Sequence, residues 1–109
     1  MDEEALRQVL CYEDPHVLQG LLRILINILS HLGEEQYRTL DLSKPTVRRI
    51  LDVPAATEFL SSIGFTSSPG RLGVLAADTP SGERLHDLYT AHEQIFLNLQ
   101  ARSLAIEAV

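Results

Sequence analysis

Cysteine and histidine are the side chains of this sequence with which nucleophilic or metal chemistry could be built. Cys11 is the single cysteine, and one of the four histidines could serve as its base. A lone cysteine late in an apolar helix face is usually a small core residue, and we interpret Cys11 in that way. His86 and His92 are six residues apart, so they point to different sides of a helix and cannot share a metal ion. His92 lies on the packing face of the predicted last helix, so we interpret it as a core or interface residue.

The carboxylates and glycines also lack a catalytic arrangement. Adjacent glutamates occur at Glu3-Glu4 and at Glu34-Glu35, and because neighbouring residues diverge on a helix, these pairs suit solvent. Gly70 and Gly73 fall in a predicted turn and strand, whereas a phosphate-binding loop would open a helix. We therefore predict no catalytic residue, no metal site and no cofactor.

Composition and charge restrict the classes of partner. With 109 residues, 45% of them apolar and 22% charged, the chain has enough apolar content for one folded domain. Its net charge of −6 argues against nucleic acid and against anionic membranes, both of which attract basic surfaces. The acidic N-terminus is unlike a signal peptide, and the longest apolar run, residues 17–32, is too short and too polar to span a bilayer. A single cysteine fits a reducing compartment. We expect a single monomeric domain over residues 1–109, part of a larger protein, in the cytosol or nucleus.

The longest predicted helix organises the chain. Asp14 and Pro15 form its start signal, a capping carboxylate followed by proline at the first helical position, and Gly33 is the predicted stop after about Leu32. Its apolar side chains cover an arc of roughly 200°, about twice that of a surface helix, so it must be covered on more than one side. One edge of the remaining polar strip carries Gly20, Ile24, Asn27 and His31.

Shorter elements flank this helix. We predict a helix over residues 2–11 and, from alternating polar and apolar side chains, a half-buried strand over residues 37–42. Short helices begin at Pro45 and at Pro54, and the second of them ends at Gly64.

A hairpin and a long helix complete the predicted fold. Residues 65–67 and 71–76 pair across the type II turn signal Ser68-Pro69-Gly70-Arg71. The last helix begins at the signal Thr79-Pro80 and runs to about residue 100. Its expected packing face consists of Leu85, Leu88, Tyr89, His92, Ile95, Phe96 and Leu99. The predicted class is α+β: a helical bundle around a central apolar helix, with a small three-stranded antiparallel sheet.

Asn27 and Tyr37 are the two residues that packing explains least well. Asparagine is a poor helix former, yet Asn27 lies in the middle of the central helix. The pattern alone favours a place for Asn27 at the solvent edge of that helix, and half-buried strand packing with the hydroxyl in water for Tyr37. Binding of a ligand is the alternative for both.

The order and spacing of several short motifs resemble the PUB domain. These are Asn27-Ile28-Leu29, a connector, Glu35-Gln36-Tyr37-Arg38, a strand, and a helix that ends at Ile63-Gly64-Phe65. The resemblance covers about residues 18–76. PUB domains occur in cytosolic peptide:N-glycanase, in some UBX-domain proteins and in the linear ubiquitin chain ligase, which implies the ubiquitin-proteasome pathway and ER-associated degradation.

The resemblance implies peptide binding without catalysis. PUB domains hold the C-terminal tail of the hexameric valosin-containing AAA+ ATPase, or PUB-interacting motif segments that mimic it, in which a hydrophobic residue precedes a tyrosine in an acidic context. By position, Asn27 matches the asparagine that hydrogen-bonds the ligand, Tyr37 the tyrosine that packs in the pocket, and Gly64-Phe65 a pair that shapes its wall. The implied peptide-binding residues are Asn27, Gln36, Tyr37, Asp41, Ser43, Lys44, Pro45, Val47, Gly64 and Phe65.

Four of these positions depart from the family pattern. Lys44 stands where a second asparagine is usual, and Val47 where a large aromatic residue is common. Gln36 and Asp41 replace basic residues, and we expect Asp41 to repel an acidic tail while Lys44 restores one positive charge. The alternative function is a PUB-like scaffold with a lost or altered ligand that acts in docking or dimerisation. A small enzyme is the third hypothesis and has no identified site.

Overall fold

The computed structural model describes residues 2–12, 14–67, 74–76 and 80–107, which are mostly helical. Within these residues the chain forms five α-helices, one 3-10 helix and three short strands. In chain order they are α1 (Glu3–Leu10), α2 (Pro15–Ser30), the 3-10 helix (Glu35–Arg38), β1 (Thr39–Asp41), α3 (Pro45–Leu51), α4 (Pro54–Ser62), β2 (Thr66–Ser67), β3 (Val74–Ala76) and α5 (Glu83–Glu107). None of the described helices is long and apolar enough to cross a membrane.

The α2 helix is the centre of the core, as its broad apolar arc predicts. The side chains of Leu18, Leu21 and Leu25 are fully buried, and α2 contacts α3, α5 and the 3-10 helix. Removing one such leucine side chain would destabilise the fold by about 2–5 kcal/mol. The arc is narrower than the sequence indicates, because Ile26 is 42% exposed.

The predicted end of α2 at Gly33 is wrong. The helix ends at Ser30, and His31 is its C-cap with a ψ of 54°. The amide of Glu34 donates to the carbonyl of His31 at 3.0 Å, so a turn over residues 31–34 replaces the last predicted helical residues. Gly33 has no left-handed backbone angle and therefore does not act as a glycine stop.

The predicted strand over residues 37–42 is shorter than expected. Tyr37 belongs to the 3-10 helix, and only residues 39–41 are extended. Arg38 explains the difference: its side chain is only 8% exposed, and its Nη1 donates to the carbonyl of Leu32 at 2.9 Å. This bond holds the segment against the end of α2. Asp41 ends the strand, because its Oδ1 accepts from the Ser43 amide at 2.9 Å and closes a turn.

The three strands are antiparallel, with β3 between β1 and β2. Leu40 in β1 pairs with Leu75, and Thr66 in β2 pairs with Ala76. The predicted turn at residues 68–71 lies outside the described residues. β1 follows the 3-10 helix directly in the chain and contacts it, so the strand end at Asp41 lies close to that helix.

The start of α1 and the end of α4 follow local sequence signals. Asp2 caps α1 by accepting from the amides of Glu4 and Ala5. Gly64 ends α4 with a φ of +110°, and the amide of Phe65 donates to the carbonyl of Leu60 at 3.1 Å.

The interpretation of Cys11 as a core residue is wrong. This residue is exposed, because α1 ends at Leu10 and Cys11 is the C-cap that follows. Its place after the last helical turn removes it from the apolar face that the periodicity indicates.

The start and the packing face of α5 differ from prediction. The helix begins at Glu83 instead of Pro80, because Gly82 has a φ of +55° and breaks helical geometry; the predicted cap at Thr79 lies outside the described residues. The buried face consists of Leu88, Ala91 and Ile95. On the expected packing face, Tyr89 and Phe96 are instead 53% and 47% exposed, and His92, which is half-buried, stacks on Phe96 with ring planes 8° apart.

The second half of α5 is attached to the end of α1 by polar contacts. Arg102 Nη2 donates to the carbonyls of Leu10 and Tyr12 at 2.9 and 2.8 Å. Asn98 Nδ2 donates to Leu10 as well, at 3.4 Å. Two of these bonds satisfy the carbonyl of Leu10, the last residue of α1, which has no helical partner.

Gly64→Ala should lower the free energy of unfolding by about 1–3 kcal/mol, because a residue with a Cβ is strained at a positive φ. The new Cβ would also overlap the Arg84 guanidinium, but that side chain is exposed and can move away, so the backbone sets the cost. Urea denaturation measures the change.

Gly33→Ala is the matched control, because a Cβ at Gly33 meets nothing within 4 Å and the backbone is not left-handed. Its free energy of unfolding should stay the same or rise by up to about 1 kcal/mol. Equal losses in the two variants would contradict the role assigned to the Gly64 conformation.

Candidate functional site

A surface cavity of about 420 Å³ lies where the second half of α2 meets the 3-10 helix, β1 and the start of α3. It is lined by Ile24, Asn27, Gln36, Tyr37, Thr39, Leu40, Asp41, Lys44 and Val47. We call it the tyrosine pocket. Its volume is within the range of pockets that hold small ligands or side chains.

Asn27 reaches this pocket from the polar edge of α2. Ile24, one helical turn earlier, lines the pocket too, and Ile28 beside Asn27 is buried. Within the described part of the chain, the amide of Asn27 makes no side-chain hydrogen bond. Asn27 therefore presents both a donor and an acceptor at the pocket wall.

Tyr37 is held in place by His31. The two rings are stacked, with centroids 4.0 Å apart and planes inclined by 15°. His31 is oriented in turn by Glu34, whose Oε2 lies 2.8 Å from His31 Nδ1. The amide of Tyr37 donates to the carbonyl of Glu34 at 3.2 Å, so the same short turn fixes both the backbone and the ring of the tyrosine.

His31 is a residue that the sequence reasoning did not assign to the site. The available signal was its position on the edge of α2 that also carries Ile24 and Asn27. His31 is the C-cap of α2, and the chain turns back directly after it. The stacking on Tyr37 depends on this turn.

Asp41 and Lys44 form the opposite rim of the pocket, and Ser43 closes the turn between them. Asp41 Oδ1 accepts from the Ser43 hydroxyl at 2.6 Å and from the Ser43 amide at 2.9 Å. These two bonds, with a smaller contribution from the Lys44 charge, lower the pKa of the Asp41 carboxyl below its ordinary value. Asp41 therefore has a structural task in the turn that brings Lys44 to the pocket.

The structure brings together most of the residues implied by the sequence. Six of the implied residues line the pocket: Asn27, Gln36, Tyr37, Asp41, Lys44 and Val47. Three further lining residues, Ile24, Thr39 and Leu40, were not predicted to belong to the site. Ser43 acts through Asp41, and Pro45 is the exposed first residue of α3.

Gly64 and Phe65 do not line the pocket. Phe65 is buried at 3% exposure in the core, and Gly64 ends α4 next to Arg84. Their contribution is to the helix end and to the core that supports β2.

The pocket offers binding chemistry. Its lining combines apolar side chains with two amides, one phenol ring, one cation and one anion, which suits an amphipathic side chain with a polar tip. Among the described residues, no group of three His, Cys, Asp or Glu side chains could hold a metal ion.

Ser43→Ala should raise the pKa of the Asp41 carboxyl towards its ordinary value of 3.8, because the hydroxyl bond is the largest cause of the lowering. Lys44→Gln should raise it less. An NMR titration of the side-chain carboxyl carbon measures both. Because the folded pKa is the lower one, the stabilisation by Asp41 is present above the unfolded pKa and is lost as the pH falls through the folded value. A larger effect of Lys44→Gln would contradict this order of causes.

The sequence was compared with protein-family models, curated proteins and solved structures. The model of the PUB domain matches residues 16–92, more than two thirds of the chain and the whole of the tyrosine pocket. No curated protein and no solved structure matches the chain.

Proposed function

The chain belongs to the PUB domain family, which consists of protein-interaction modules rather than catalysts, and from this premise we propose that it is an adaptor that binds the C-terminal tail of the valosin-containing AAA+ ATPase. A PUB-interacting motif segment of another protein would occupy the same pocket. The observation that carries the proposal is the meeting of Asn27 and Tyr37, from separate elements, in one cavity of about 420 Å³.

The pocket has the features that a tyrosine-containing tail needs. Ile24, Leu40 and Val47 supply apolar surface for the anchor, and the free amide of Asn27 supplies a hydrogen bond for the peptide. An amphipathic anchor of this kind gains apolar burial and one or two polar bonds. So small a contact corresponds to a dissociation constant on the order of micromolar.

The charges at the rim are compatible with an acidic tail. The carboxylate of Asp41 stays negative, and the donor dipoles of the two hydrogen bonds from Ser43 offset part of the repulsion expected from the sequence. Lys44 is exposed and lines the pocket, so it can pair with a ligand carboxylate.

Docking or dimerisation of a PUB-like scaffold is the second candidate function. Three large apolar side chains of α5 favour it, because Tyr89, Phe96 and Leu97 are each about half exposed. Exposed aromatic residues are enriched at protein interfaces. In this case the tail would not bind at the tyrosine pocket.

The proposal predicts saturable binding of a fluorescently labelled peptide of the last ten residues of the ATPase, followed by anisotropy. Tyr37→Ala should weaken binding by about tenfold or more, because the ring forms part of the anchor pocket. Asn27→Ala should weaken it by about three- to tenfold through the loss of a hydrogen bond.

Tyr89→Ala is the matched control, since it removes an exposed tyrosine outside the pocket and should leave the affinity unchanged. No binding at hundreds of micromolar peptide would refute the adaptor proposal. A loss confined to Tyr89→Ala would favour docking through α5.

Lys44→Glu should weaken tail binding by about three- to tenfold and flatten its dependence on salt, because a favourable charge pair becomes a repulsive one. Arg48→Glu makes the same charge change on α3 at a residue that does not line the pocket and should have a smaller effect. Anisotropy titrations at two salt concentrations measure both variants, and equal affinities of Lys44→Glu and the original chain would remove Lys44 from the site.

A further inference from the structure

We propose that a second cleft, beside the tyrosine pocket, binds the carboxylates of an acidic peptide segment. It has a volume of about 430 Å³ and lies between the first half of α2 and α3. His16, Gly20 and Arg23 line it from α2, and Thr46, Arg49 and Ile50 line it from α3. We call it the arginine cleft. The proposal that one peptide occupies both the arginine cleft and the tyrosine pocket rests on the proposed function. The proposal that the cleft binds carboxylates does not.

The charge of the cleft is opposite to that of the chain as a whole. The net charge is −6, yet no carboxylate side chain is among the described residues that line the cleft. Arg23 and Arg49 are both exposed. In residues 2–12, 14–67, 74–76 and 80–107, neither guanidinium has an ion pair or a side-chain hydrogen bond. Their donors are available to a ligand, and a guanidinium matches a carboxylate through two parallel hydrogen bonds.

The floor of the cleft is apolar and closely packed. A Cβ at Gly20 would lie only 2.6 Å from Cδ1 of Ile50, so the missing side chain is what lets α3 pack closely on α2. Ile50 is 3% exposed. This contact sets the separation of the two helices and therefore the positions of the arginines on either side.

The arginine cleft and the tyrosine pocket form successive parts of one surface. Both have α2 and α3 as walls, and the lining of α2 passes from Asn27 through Ile24 to Arg23 and Gly20. Gly20 is seven residues from Asn27, which is about 10 Å along a helix. An extended peptide covers that distance in about three residues.

This spacing identifies the part of the ligand concerned. With an anchor side chain in the tyrosine pocket, residues about two to five positions away would lie over Arg23 and Arg49. Acidic side chains at those positions would pair with the two guanidinium groups. Nucleic acid is a poor alternative, because the chain has nine Lys and Arg against fifteen Asp and Glu residues.

The cleft can be tested without the ATPase tail. The probe is an acetylated hexaglutamate amide, added to the isotope-labelled full chain at low salt and followed by amide chemical shifts in NMR. Saturable shifts of the Gly20, Arg23, Thr46 and Arg49 amides are expected, and hexaglutamine should produce none. Shifts spread over the whole surface, or equal shifts with hexaglutamine, would overturn the proposal.

Arg23→Gln and Arg49→Gln should each weaken hexaglutamate binding by about two- to fivefold, the range for partly exposed ion pairs. Arg48→Gln removes the same charge from the same helix outside the cleft and should change binding less. Both arginines are exposed, so the variants should fold, which their NMR spectra report. Equal effects at Arg48 and Arg49 would overturn the assignment of the cleft. Tighter binding of inorganic phosphate than of hexaglutamate would overturn the choice of carboxylates.

Failure of this proposal can be distinguished from failure of the adaptor proposal. If hexaglutamate binds in the cleft and the ATPase tail does not bind, the arginine cleft stands and the adaptor proposal falls. If the tail binds, a second tail peptide in which each acidic residue is replaced by its amide should bind the original chain more weakly than the unmodified tail does. This difference in affinity should be smaller in the Arg23→Gln/Arg49→Gln double variant, in which Lys44 is the lining cation that remains to pair with the tail. An undiminished preference for the acidic tail in that variant would overturn the shared-peptide arrangement.

Discussion

The apolar faces of α2 must be buried on several sides at once, and this requirement determines where most other elements lie. α5, α3 and the 3-10 helix all contact α2, and its buried side chains belong to the same cluster as those of α1 and α4. What remains of its circumference is a narrow polar edge. Both cavities border on that edge, where α3 and the 3-10 helix contact α2 without filling the space beside it.

The way α2 ends positions the tyrosine pocket. The turn over residues 31–34 redirects the chain, and the bond from Arg38 to the carbonyl of Leu32 keeps the 3-10 helix against the helix end. Arg38 is a buried cation, and burial of a charge is unfavourable unless it is hydrogen-bonded. The location of the 3-10 helix is therefore strongly constrained, and with it the location of Tyr37. The strand that follows extends only to Asp41, where the side-chain turn with Ser43 directs Lys44 to the opposite rim.

Local signals predicted the framework well. The capped and proline-marked starts at Asp14, Pro15, Pro45 and Pro54 and the helix end at Gly64 all depend on neighbours within one turn, so the sequence contains them. The central position of α2 followed from its wide apolar arc. The errors arose where contacts that the hydrophobic pattern does not show decide. The end of α2 depends on the turn after His31, and the start of the strand depends on the buried Arg38.

The residues of the site also divide into those that the sequence predicts and those that depend on the fold. Asn27 and Tyr37 were identified through the family resemblance, since their spacing along the chain survives in the fold. His31, Thr39 and Leu40 were not, because their places in the site follow from the turn after α2 and from the pairing of β1 with β3. Phe65 shows the opposite error: its place in the motif reflects packing in the core. The arginine cleft depends on the close contact of Gly20 in α2 with Ile50 in α3, and no single stretch of sequence shows that contact.

The stacking of Tyr37 on His31 has a consequence for conformational entropy. A side chain that is mobile before binding loses about 0.5–1.5 kcal/mol when a ligand immobilises it. The Tyr37 ring lies against the imidazole of its own chain, with the ring centroids 4.0 Å apart. Most of its rotational freedom is therefore lost during folding, when the burial of α2 supplies the driving force. A ligand meets a preorganised ring, and a larger share of its contact energy is expressed as affinity.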